Sequence, residues 1–205
     1  MVVQMPQVLK EEVRNSILNS AVKVFRENDY NKASMNSIAQ EANISVGNIY
    51  RYFKNKEELF DVIVKDLAEK IMSIMDKCKN GETIDEIFER LKDCIDEFVD
   101  LYTDNKDVFI ILIKAVGNTR TRYNVEKSMM EYMAKNLNYI ATNFCKKNEM
   151  TETDMQNLCL TLSVAVTKGV NHIILSEASH EVMRRRLNHF LDFMRVGFIE
   201  NIKRH

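Results

Sequence analysis

The chain reads as an all-α protein, and three observations predict that class. Its single proline, Pro6, stands ahead of the first apolar repeat; glycine occurs only 5 times in 205 residues; and apolar residues return every three or four positions along most of the chain. A hydrophobic content of 45 % is enough to bury one or two cores.

Helix 1 carries the apolar stripe Ile17, Ala21 and Phe25, flanked by Leu18 and Val22, and Asn28-Asp29-Tyr30-Asn31 ends it. Ser34 then opens a short helix with Ile38, Ala39 and Ala42 on one face, its hydroxyl placed to cap the first backbone N–H groups. Asn43 stops that helix, because asparagine tolerates the left-handed conformation that ends one helix and starts a sharp turn. Ser45 caps the next helix. Asn55-Lys56-Glu57-Glu58 forms a capping box for a fourth helix, which continues through Leu59, Phe60, Ile63, Val64, Leu67 and Ile71 to about Lys77. Asn80-Gly81 is a turn, and Thr83 with Glu86 caps the following helix. The remaining helices are expected at about 83–102, 106–117, 121–147, 153–176 and 180–203, about nine in all. No internal repeat or low-complexity segment is visible.

Two short helices around a tight turn, followed by a capped helix, form a DNA-reading arrangement. In the second of them Ile44, Ile49 and Phe53 can face the first, which leaves Ser45, Val46, Asn48, Arg51 and Tyr52 largely outside. Amide side chains pair with adenine edges, small apolar groups touch thymine methyls, and hydroxyl or guanidinium groups reach phosphates or guanine. Gly47 lets the backbone approach a duplex or a neighbouring helix closely. The helix amides beside Lys56 offer a phosphate site. Tyr50, Tyr52 and Phe53 have an alternative role as core aromatics of a small helical unit.

This stretch resembles the N-terminal domain of TetR-family (tetracycline-repressor-like) transcriptional regulators. The resemblance rests on Ile38-Ala39, Ala42, Ile44-Ser45, Gly47, Tyr50, Tyr52-Phe53, Lys56 and Leu59, in that order and spacing. It departs at Asn43, where the family usually has glycine; both residues suit the turn. The resemblance implies a recognition helix from Ser45 to Tyr52, with Ser45, Val46, Gly47 and Asn48 facing bases and Tyr50 and Lys56 touching phosphate. Asn36 on the preceding helix is a further base contact, and Ser34, Arg51 and Tyr52 complete the expected DNA-binding set. The implied architecture is an N-terminal three-helix helix-turn-helix domain, residues 8–72, and a C-terminal helical ligand-binding and dimerisation domain, residues 73–205. The fourth helix crosses that boundary and can transmit movement between the two.

The formal net charge is -1, but its distribution is uneven. Residues 1–56 hold 8 basic against 5 acidic side chains, while residues 82–107 hold 3 against 10. An acidic second half would repel phosphates and leave the N-terminal end to dock, although a solvated helix face accounts for the acidic run equally well. The start of the chain lacks the pattern of a signal peptide, no stretch approaches a membrane span, and a cytoplasmic protein is expected. Cys78, Cys94, Cys145 and Cys159 lack C-x-x-C spacing and read as core thiols rather than disulfides or a zinc cluster. The four histidines form no metal-binding pattern, and neither a metal nor a cofactor is expected.

Two long helices close the chain, with Met155, Leu158, Leu162, Val166, Gly169 and Ile173 on one and Val182, Leu187, Phe190, Leu191, Met194, Phe198 and Ile202 on the other. Their stripes can pair across a homodimer or be consumed by the subunit's own core. The family pairs through these helices, which would place two recognition helices on a palindromic operator. The family also binds a small-molecule effector in its second domain. Candidate effector contacts are Phe98, Tyr102, Phe109, Ile113, Met130, Met133, Asn171 and His172; a Met and aromatic stripe is also what plain core looks like, and His172 could equally be satisfied in the core or at a dimer seam. The expected function is a ligand-responsive repressor and not an enzyme. A small all-α enzyme and a helical adaptor are the alternatives.

Overall fold

The computed structural model describes residues 7–77, 83–115, 120–144 and 151–203, with side chains for 10–77, 83–115, 126–143 and 151–197. The described residues form helices α1 (Gln7–Lys32), α2 (Met35–Glu41), α3 (Val46–Ile49), α4 (Lys56–Lys77), α5 (Ile84–Asp104), α6 (Lys106–Lys114), α7 (Arg120–Phe144), α8 (Glu152–Leu175) and α9 (His180–Lys203). Expectations that rested on Cys78, Asn80, Gly81, Cys145 and the side chains of Phe198 and Ile202 lie outside the described residues.

The helices group into two compact units. The first takes in α1 to α3, α4 as far as Ala68, and α6; the second takes in α4 from Glu69, α5, most of α7, α8 and α9. α6 thus groups with the N-terminal helices although it follows them by some forty residues of chain.

In the first unit α1 buries Ile17, Ala21, Val24 and Phe25, and α2 and α3 bury Met35, Ile38, Ala39 and Ile49 beneath it. Phe53, Leu59, Phe60, Val64 and Leu67 complete this core. Asp29 breaks α1 with φ 60° and ψ 155°, a region that side chains disfavour, and this is where the asparagine-rich segment was expected to end the helix. α6 packs on α1, burying Phe109, Ile110, Ile111 and Leu112, and Arg26 of α1 pairs with Asp107 at 3.1 Å.

In the second unit α5 lies against α9. The acidic run is not simply a solvated face, because α9 supplies its complement: Asp85 pairs with Arg195 at 2.5 Å, Asp96 with Arg184 at 2.6 Å and Asp100 with His180 at 2.8 Å. These pairs are partly exposed, so each contributes at most about 1 kcal/mol and acts mainly to align the two helices. α7 and α8 meet through Leu137, Ala141 and the buried thiol of Cys159, with Met155 and Leu162 packed around them. α8 approaches α9 at Gly169, where an added Cβ would lie 2.8 Å from the Phe190 ring.

Two expectations are corrected here. Cys94 is disulfide-bonded rather than a lone core thiol; sequence spacing does not report whether two Cβ atoms approach closely enough to bridge. α8 is long and apolar enough, by length and composition, to cross a membrane. Its apolar residues are not confined to one stripe: Cys159, Val166 and Ile174 are buried, while Leu158, Leu160, Val164 and Leu175 are exposed on the chain. On α9, Phe193 is 77 % exposed and Val196 61 %.

Candidate nucleic-acid interface

The α2–turn–α3 segment is built from short-range hydrogen bonds. The Ser34 hydroxyl accepts from the Ser37 N–H at 3.1 Å, and the Ser34 N–H donates to the Ser37 hydroxyl at 3.0 Å, so each serine caps the other. α2 ends with Asn43 at φ 52°. The Asn43 N–H reaches the Gln40 carbonyl at 3.1 Å and the Ile44 N–H reaches the Ala39 carbonyl at 3.0 Å, the paired bonds of a left-handed helix cap. The chain reverses into α3, where the Ser45 hydroxyl accepts from the Asn48 N–H at 3.3 Å. α3 proper is a single turn, shorter than the expected Ser45–Tyr52 helix. It is prolonged by tighter turns in which Arg51 N–H meets the Asn48 carbonyl at 3.1 Å and Tyr52 N–H meets the Ile49 carbonyl at 2.9 Å.

This geometry separates the candidate residues. Ile49 and Phe53 are buried, and the Arg14 guanidinium sits 5.5 Å from the Phe53 ring centroid, so Phe53 belongs to the core. Asn36, Ser45, Val46, Gly47, Tyr50 and Arg51 form an exposed face, with Ser34 exposed beside them and Asn48 and Tyr52 half-buried. Tyr50, at 54 % exposure, is an aromatic ring that the fold leaves in solvent. A Cβ added at Gly47 would meet nothing within 4 Å, so no packing among the described residues explains the glycine. Among the described residues, no carboxylate pairs with the side chain of Arg51 or with that of its exposed neighbour Lys54. Lys54 was counted in the charge balance but not among the site residues; its position just after the tyrosine-rich turn was the signal.

The expected phosphate site at the start of α4 is modified by its own cap. The Asn55 side chain takes the Glu58 N–H at 2.8 Å, and the Glu58 carboxylate takes the Lys54 N–H at 2.6 Å. The adjoining surface groove, about 670 Å³, carries Glu57, Glu58 and Asp61 against Lys54 and Lys65, a charge balance unsuited to phosphate. The Lys56 ammonium points inward, donating to the Tyr30 and Ala33 carbonyls at 2.7 and 2.8 Å.

The expected effector residues divide between the two units. Phe109 and Ile113 lie on α6, in the first unit; Tyr102 is buried, Phe98, Met130 and Asn171 are half-buried, and His172 is exposed. The second unit instead contains an apolar cavity of about 160 Å³ bounded by Met75, Ile87, Leu91, Tyr132, Met133, Asn136, Leu137, Tyr139 and Ile140. Of the eight expected residues, only Met133 lines it. Periodicity marks the apolar face of a helix but not the turn that borders a void.

The capped α2, the left-handed turn and the outward face of α3 define a helix-turn-helix protein. Residues 17–63 match the family model described as bacterial regulatory proteins, tetR family. The chain is 41 % identical over 61 residues to the uncharacterized HTH-type transcriptional regulator YhgD of Bacillus subtilis, covering 30 % of this chain and 32 % of that one. It is 26 % identical over 134 residues to the HTH-type transcriptional regulator HbdR of an Aromatoleum species, covering 59 % and 58 %. The matched region thus spans about a third to somewhat over half the length of these relatives. A solved TetR family transcriptional regulator from Chloroflexus aurantiacus shares the fold with a TM-score of 0.68 at 20 % identity, over 95 % of this chain and 94 % of that one. The family match thus lies in the N-terminal segment, residues 17–63, and the chain as a whole shares the fold of solved TetR family regulators.

Proposed function

We propose that this protein is a cytoplasmic DNA-binding transcriptional regulator, a repressor that holds a palindromic operator as a homodimer and leaves it when a small apolar effector binds. The observation that carries the reading is the face of α3: the cap of Ser45 and the buried Ile49 orient the helix, and Val46, Gly47, Tyr50 and Arg51 remain exposed with no internal role. Asn48 and Asn36 are the adenine readers, Tyr50, Tyr52 and Ser45 hydroxyls and the Arg51 guanidinium meet phosphate or guanine, and Val46 meets a thymine methyl. Ser34 borders the same surface. Residues 8–72 form the DNA-binding domain and 73–205 the effector and dimerisation domain.

The exposed apolar residues of α8 and α9 support a homodimer, since Leu160 and Val164 on α8 and Phe193 and Val196 on α9 each gain by being removed from water. Two recognition helices about one DNA turn apart then read two half-sites. The cavity of the second unit supports an apolar effector. At about 160 Å³ it lies below the usual range for ligand sites, so entry requires the flexible Met75 and Met133 side chains to move aside. Release from DNA is a population shift: a hundredfold loss of occupancy needs about 2.8 kcal/mol of effector preference for the form whose heads are misplaced.

The test is selection of binding sites from fragmented genomic DNA, followed by titration of the recovered sequence against shuffled DNA. A recurrent palindrome bound about a thousandfold more tightly than shuffled DNA supports the regulator. Sequence-independent binding or none sinks it and returns the enzyme and adaptor readings.

A further inference from the structure

The ammonium of Lys56 is committed inside the first unit. α1 is kinked at Asp29 and ends at Lys32, and a helix end leaves the carbonyls of its last turn without intrahelical partners. Lys56 supplies the missing donors from 23 and 26 residues away: its Nζ donates to the Ala33 carbonyl at 2.8 Å and to the Tyr30 carbonyl at 2.7 Å, and lies 4.4 Å from the centre of the Tyr30 ring. That ring is itself wedged, 4.8 Å from Phe60 and 5.4 Å from Phe25. Burial lowers the Lys56 pKa from its ordinary value, as expected for an ammonium partly withdrawn from water. Of its three N–H donors, two are in use, and an aromatic face covers part of what remains.

We propose that Lys56 is a clasp that positions the DNA-reading helices, rather than a phosphate contact. The clasp joins the end of α1 to the first turn of α4, and these are the two supports between which α2 and α3 are strung. Ala33, whose carbonyl it holds, immediately precedes the Ser34 cap of α2. The inference rests on the proposed DNA-binding role and concerns how one of its residues acts.

The two roles differ in salt dependence. A lysine on phosphate releases counterions, so its loss lowers the slope of log affinity against log salt by about one unit per subunit and weakens specific and nonspecific binding alike. A clasp has neither signature. In the full chain, Lys56→Met is expected to weaken the selected operator about tenfold and leave both the salt slope and the affinity for shuffled DNA unchanged, so that discrimination falls. A slope reduced by about one unit per subunit with a uniform loss of affinity would overturn the clasp, as would a folded variant with wild-type operator binding. A measurement on the wild-type chain covers the case in which the variant does not fold: the nitrogen-15 resonance of the Lys56 ammonium should be protected from exchange in the free protein and should not shift when operator is added. An unprotected signal, or one that shifts on DNA, overturns the proposal. Failure of the wild-type chain to select any site instead counts against the regulator reading, and with it any role of the clasp on DNA.

Discussion

Gly47 allows stability and DNA binding to be separated with one methyl group. It lies in the single turn of α3, is exposed, and an added Cβ would meet nothing within 4 Å. Gly47→Ala therefore creates no clash in the free protein. It removes conformational freedom from the unfolded chain, which stabilises the fold by about 0.4–1 kcal/mol, the lower part applying to so short a helix. For a chain of this size that raises Tm by roughly 1–3 °C. At the proposed DNA interface the sign reverses: a methyl inserted where the backbone would meet the duplex is overpacking, which costs about 1–3 kcal/mol per head, or roughly a 5- to 150-fold loss for each proposed half-site. The assay pairs thermal unfolding of the free protein with operator titration by fluorescence anisotropy. A variant that is more stable and binds operator as well as the wild type would refute the placement of α3 against DNA. A variant that is less stable would refute the open surroundings of Gly47.

Other substitutions probe the turn, the seam and the helix packing. Asn43→Ala should cost about 1 kcal/mol because a Cβ without a local hydrogen bond is disfavoured at φ 52°, whereas Asn43→Gly should stay within about 0.5 kcal/mol of wild type; urea unfolding distinguishes them. Phe193→Glu, at the most exposed large apolar position among the described residues, should convert the proposed dimer to monomer in sedimentation velocity and reduce operator binding to that of a half-site; an unchanged sedimentation coefficient would move the proposed seam elsewhere. Gly169→Ala should destabilise by about 1 kcal/mol, because the 2.8 Å approach to Phe190 exceeds what the gain in helix propensity offsets. Adding Phe190→Leu should recover part of that loss, and strictly additive effects would show that the two residues are not in contact.

The local rules were legible because each acts over three or four residues. Ser34, Ser45, Asn55 and Thr83 announced helix starts through bonds to the residue three positions on, and all four are made. Asn43 announced a left-handed turn through its own backbone preference, and the helix spans from α4 onward follow from apolar periodicity. The exposed face of α3 was readable for the same reason, since a buried Ile49 and Phe53 leave their neighbours outside. What tertiary structure alone decided are matters of long sequence separation. Arg195, Arg184 and His180 meet acids 110, 88 and 80 residues away, so no pattern on α5 could reveal that its charge is answered. α6 groups with the first unit, where its apolar residues pack on α1, so Phe109 and Ile113 belong to that unit's core side and not to the second unit. Lys56 looked like a surface cation beside a helix start; two carbonyls left open where α1 gives way to α2 turned it inward. The chain's local sequence determines where its helices begin, end and present an apolar face, because those choices depend on neighbours along the backbone. Which charges are answered, which faces border a cavity and which lysine is withdrawn from solvent depend on neighbours in space, and only packing assigns those.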